Sequence, residues 1–128
     1  MKNTKKITGI LVDVHNGVAQ KATIEKSLDS YYKALNCDCI DIVSRRIDGQ
    51  LFDIICDDEA LLKVNPRPSA MHTDGHVALC GNLFIVNNDC EGDVCSIREG
   101  QADHVIRNVK TLYTRRGEHW PCLTKVTY

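Results

Sequence analysis

The sequence predicts an α+β domain: a mainly antiparallel sheet of about five to six strands with two helices packed on one face. Three observations predict it. β-branched apolar runs close on the two-residue turn signals Asn16-Gly17 and Asp48-Gly49. Two other stretches repeat apolar residues at the i, i+3, i+4, i+7 spacing of a helix face. The chain has 128 residues, 43% apolar and 26% charged, enough to bury a core without metal or disulfide staples. Residues 1–128 read as a single domain, with a core over 7–113 and a tail over 114–128.

The elements follow in order. Residues 7–15 (ITGILVDVH) form an opening strand, and Asn16-Gly17 turns the chain into a weaker strand over 18–24. Ser27 then caps a helix, because its hydroxyl accepts from the first free amides. Leu28, Tyr31, Tyr32 and Leu35 lie on one face of that helix. Runs over 39–47 and 50–56 flank Asp48-Gly49, which favours the positive φ angles of a type I′ hairpin. Residues 65–75 (NPRPSAMHTDG) hold Pro66 and Pro68, which remove amide donors, so the sequence reads as a stiff loop. Residues 76–87 are one long apolar strand interrupted by Gly81, the mark of a bulge or a close backbone approach.

A second helix is expected over 102–113. Ala102, Val105, Ile106, Val109, Leu112 and Tyr113 form its apolar stripe. Glu99 and Asp103 suit its start, and Lys110, Arg115 and Arg116 its end. Gly117 stops it. The tail carries Trp120, Leu123 and Tyr128 and is too apolar to float free. It is expected to dock as an extra strand or to meet a partner, including a second copy in a homodimer.

Composition narrows the function. Sixteen basic residues against seventeen acidic give a net charge of −1, so no basic excess marks a general nucleic-acid surface. A local basic patch stays open. No run approaches the roughly 18 apolar residues of a spanning helix, and no signal-peptide core follows the basic start. A cytoplasmic protein without a membrane partner is expected. Seven cysteines cannot all pair within one chain, and thiols in that setting stay reduced. Cys39, Cys56 and Cys80 sit in strand-like runs, where a thiol packs as a small hydrophobe.

Motifs with chemistry are few. His72, His76 and Cys80 would align on a helix as zinc ligands, but Asp74-Gly75 breaks a helix and no metal is expected. Cys37-x-Cys39 and Cys90-x4-Cys95 lack paired C-x2-C spacing. Asp89 and Glu91 beside Cys90 disfavour a thiolate. The nucleophile elbow, the H-E-x-x-H pair and the phosphate-binding loop are absent, so no catalytic residue and no cofactor is assigned. Arg67, held between two prolines after Asn65, suits forked recognition of phosphate or carboxylate. Asn65, Arg67, His72 and His76 are the candidate ligand residues. Trp120, Leu123 and Tyr128 are the candidate interaction residues.

These elements resemble the domain of unknown function family 3846, met in phages, plasmids and conjugative elements of bacteria. The resemblance spans residues 7–112. It rests on the ILVD strand at 10–13, the hairpin at Asp48-Gly49 ending in Cys-Asp-Asp-Glu at 56–59, and Asn65 with Arg67. It continues through a strand centred on Gly81, the Glu91-Gly92 turn, Ser96-Ile97 and a closing helix. Asn82 stands where the family usually has Thr, and Arg98 where it has a Thr or Ser cap. The resemblance implies an accessory protein of a mobile element inside a bacterial cell and carries no established activity. The expected function is a non-enzymatic module binding a host protein or acting on a host defence system. The alternatives are sequestration of a small anionic ligand such as a nucleotide and, behind it, a metal-dependent enzyme.

Overall fold

A computed structural model describes residues 5–63, 65–88 and 94–128. β1 (Lys6–Asp13) and β2 (Val18–Glu25) pair along their whole length. Asp13 closes their turn by accepting from the His15 and Asn16 amides at 3.1 and 3.0 Å. α1 (Leu28–Leu35) starts where Ser30 N donates to Ser27 Oγ at 3.3 Å, and it ends on Asn36 at φ +53°. β3 (Ile40–Ile47) and β4 (Gln50–Asp57) flank Asp48 and Gly49, at φ +48° and +86°. Two successive positive φ angles make the expected type I′ turn.

A short 3-10 turn at Ala60–Leu62 leads on to β5 (Pro68–His72), β6 (Val77–Cys80) and β7 (Leu83–Asn87). The chain closes with α2 (Glu99–Arg107), β8 (Val109–Tyr113) and β9 (His119–Thr127).

Among the described residues nine strands form one sheet, in the order β2-β1-β7-β4-β3-β9-β5-β6, with β8 also on β9. The β5–β9 pair is parallel and the others antiparallel. This mixed, mostly-sheet fold corrects the expectation of five to six antiparallel strands.

The helices are also not on one face. Tyr31 and Leu35 of α1 pack with Ile7, Ile55, Phe84 and Val86. Ala102 and Val105 of α2 pack with Ile10, Val12, Ile54 and Ile85. Neighbours in a strand point to opposite faces, so Phe84 and Ile85 place α1 and α2 on opposite sides of the sheet. That sandwiching buries β7 completely.

Three differences account for the extra strands. First, Pro68 opens β5 instead of lying in a loop, since the first residue of a strand can lack a ladder amide. Its carbonyl accepts from Trp120 Nε1 at 2.7 Å. Second, the run over 76–87 is two strands. Gly81 at φ +78° turns the chain between them, and its amide donates to Arg67 O at 2.9 Å. A Cβ on Gly81 would lie 3.3 Å from that of Ala60. Third, the second helix stops at Arg107. Asn108 Nδ2 donates to His104 O, while Asn108 O accepts from both the Thr124 amide and hydroxyl. The chain then continues as β8, matched from Val109 against Leu123 to Tyr113 against His119. Pairing with β9 overrides a helical periodicity that extends past Arg107. Arg98 opens α2 by donating its amide to Gln101 Oε1 at 2.8 Å.

The tail is β9. Lys125 at φ +57° marks where it leaves β8 and reaches the end of β3. No helix among the described residues is long and apolar enough to cross a membrane.

Candidate functional site

β5 positions the candidate ligand residues, and it separates them. Asn65 and Arg67 precede or adjoin its first residue, whereas His72 is its last. Five extended residues span roughly 17 Å. The four do not form one site.

At the far end, His72 Nδ1 lies 3.1 Å from Val126 O, and its ring centroid is 5.2 Å from that of Tyr128. His76 Nδ1 meets Asp74 Oδ2 at 2.9 Å on the surface. That hydrogen bond raises the His76 pKa, and backbone and side-chain bonds from His76 lower that of Asp74. Arg45 lies 4.6 Å over the Tyr128 ring. His72, His76 and Asp74 thus have protein partners, while the buried Arg45 Nε has no hydrogen-bond partner among the described residues.

At the near end, Arg67 is a structural tie as well as a cation. Nη1 donates to Val14 O at 2.8 Å, Nη2 to Glu118 Oε2 at 2.9 Å, and the guanidinium carbon sits 4.7 Å from the Trp120 ring centroid. β1, β5 and β9 are thereby joined. Asn65 at φ +53° and the two prolines fix the segment that carries it.

Facing this wall is the β8–β9 turn. Thr114 N donates to Glu118 O at 2.9 Å and Gly117 N to Thr114 O at 3.1 Å, with Gly117 at φ +86°. Arg115 and Arg116 stand at the tip. The helix-end role expected of them disappears with the shortened helix, and neither has an ion pair or hydrogen bond among the described residues. The two walls enclose a cleft of about 500 Å³. Three guanidinium groups against the Glu118 carboxylate leave two positive charges uncompensated in it. The arrangement can hold an anion.

The interaction residues divide similarly. Leu123 is fully buried and Trp120 is 7% exposed, so both belong to the core; Tyr128 is 78% exposed. Asp57, at the end of β4, is buried and paired with Lys63 at 2.6 Å. No group of three or more His, Cys, Asp or Glu among the described residues is placed to hold a metal ion. Asp89, Cys90 and Glu91 lie outside the described residues.

The cysteines are mixed in state. Cys37, Cys56, Cys80 and Cys122 are buried free thiols, and Cys39 is a free thiol on the surface rather than in the core. Cys95 is disulfide-bonded, unlike the reduced set expected. Burial pushes the Cys56 and Cys122 pKa values up to about 12. The hydrogen bond with Glu59 raises that of Cys39. Of the five free thiols, Cys39 alone is expected to react with a thiol reagent near neutral pH before unfolding, and slowly. Mass spectrometry of the labelled protein checks this; modification of Cys56 or Cys122 at the same rate would show an open core.

Residues 7–110 match the family model of a domain of unknown function (DUF3846). The chain belongs to the DUF3846 family. No curated protein and no solved structure matches it. In this DUF3846 protein the cleft wall with Asn65 and Arg67 falls inside the matched span, and the turn with Arg115, Arg116 and Glu118 lies beyond it. Reading β8 as a strand would have exposed that turn in the sequence. Val109 and Thr111 are β-branched, and Arg115-Arg116-Gly117 has the character of a hairpin tip.

Proposed function

We propose that this DUF3846 protein is a non-enzymatic binding module that takes up a small anionic ligand in the cleft between residues 65–67 and the β8–β9 turn. The observation that carries the reading is the uncompensated pair Arg115 and Arg116 facing a rigid wall of Arg67 and Trp120. Guanidinium groups match the oxygens of phosphate and carboxylate in a forked geometry. The cleft falls in the size range of small-molecule sites, roughly 300–1,000 Å³. The resemblance to proteins of phages and conjugative elements suggests that the ligand is sequestered inside a bacterial host, to the benefit of a mobile element. Docking on a host protein keeps one exposed group from the expected set, Tyr128 beside Arg45 and His72, and is the second reading.

The double variant Arg115→Ala/Arg116→Ala is expected to lose binding of pyrophosphate in calorimetry. Each charge-assisted hydrogen bond removed costs about 1.5–3 kcal/mol. Both side chains are exposed, so the melting temperature should hold. Equal binding by the variant, or none by the unaltered protein, would overturn the proposal.

A further inference from the structure

The same cleft says which kind of anion it suits, an inference that rests on the anion-binding reading. Arg67 and the tip arginines are chemically different in their surroundings. The charge of Arg67 is matched by Glu118 at 2.9 Å, and its guanidinium is fixed by Val14 O and lies over Trp120. It is therefore a poor point charge for a ligand and a good planar surface. Its side chain keeps 28% of its area exposed, and both it and Trp120 line the cleft. Arg115 and Arg116 are the reverse: exposed, without an ion pair or hydrogen bond among the described residues, and able to follow a phosphate.

A ligand that uses both parts needs a flat π system at one end and phosphate at the other. We infer that the cleft takes a free nucleotide, its base against the Arg67–Trp120 stack and its phosphate on Arg115 and Arg116. Bases stack on guanidinium planes as they do on aromatic rings. A free nucleotide is favoured over a nucleic-acid strand because the chain has a net charge of −1 and no basic excess to follow a backbone.

Trp120 is the sole tryptophan, so its fluorescence reports on the stack without a label. The full chain is titrated with adenosine, guanosine and uridine monophosphates, with ribose 5-phosphate and with inorganic phosphate. At least one nucleotide is expected to bind about tenfold or more tighter than ribose 5-phosphate, the contribution of one stacked base, and to change Trp120 emission. Arg67→Lys keeps a cation for Glu118 but removes the plane. It should bring the nucleotide down to the affinity of ribose 5-phosphate while leaving the latter in place. Its melting temperature is measured alongside, and if it does not fold the arms on the unaltered chain decide. Ribose 5-phosphate binding as tightly as every nucleotide, with no change in emission, would overturn the stacked base and leave the anion site standing. Binding of no phosphate-bearing compound would remove both. A ten-residue single strand binding tighter than any mononucleotide would overturn the choice of a free nucleotide.

Discussion

Gly9→Val is expected to leave the chain unfolded, and Gly9→Ala to cost about 3 kcal/mol or more, above the usual 1–3 kcal/mol for an overpacked core. Gly9 lies within β1, between β2 and β7. A Cβ there would sit 2.5 Å from Ile85 O, and 2.9 Å from both Phe84 Cζ and Val86 Cγ1. The oxygen belongs to the backbone of β7, so the strand itself has to move. Phe84 and Val86 are fully buried against α1, so neither side chain can swing into solvent. Against a total stability of about 5–15 kcal/mol for a domain of this kind, the alanine variant should show a clearly lowered denaturation midpoint. An unchanged midpoint for Gly9→Ala would mean that β7 does not lie where the register Ile10 to Ile85 places it.

What the sequence discloses is what local chemistry decides. Asp48-Gly49 allows a two-residue turn whatever surrounds it, and Ser27 caps α1 with a hydroxyl three residues from its donor. Non-local choices are not visible in this way. Val105, Ile106, Val109 and Leu112 fit a helix face, yet Val109 and Leu112 join a strand because β9 is there to pair with them. The parallel β5–β9 pair joins Ala70 to Leu123 across 53 positions, and nothing in residues 65–75 announces it. The site follows the same rule. Arg67 is noticeable from its flanking prolines, but its partners Val14 and Glu118 lie 53 and 51 positions away. Arg115 and Arg116 have no recognisable role until the helix is seen to end at Arg107. The same short-range reading puts His72 and His76 with Arg67, although the length of β5 keeps them apart.

Val105→Asp is expected to unfold the domain, whereas Ile106→Asp is expected to cost about 0.5 kcal/mol or less, as surface changes do. The contrast tests where α2 points and where it stops. Val105 has no exposed surface and packs among Ile10, Val12, Ile54 and Ile85. A carboxylate there loses its hydration and gains no cation, since that cluster is apolar. The group must either remain charged at a cost of several kcal/mol or take up a proton. Ile106 is 41% exposed, so an aspartate in its place stays hydrated. A helix running on through Val109 with Ile106 on its buried stripe, the arrangement that periodicity alone suggests, makes the two substitutions equally damaging. Arg107→Glu serves as a control. Arg107 is exposed in the last turn, and a reversed charge at a helix end costs about 0.3–1 kcal/mol. Melting temperatures and urea midpoints of the three variants separate the cases. If Ile106→Asp falls as far as Val105→Asp, the helix faces the sheet differently and β8 does not begin at Val109.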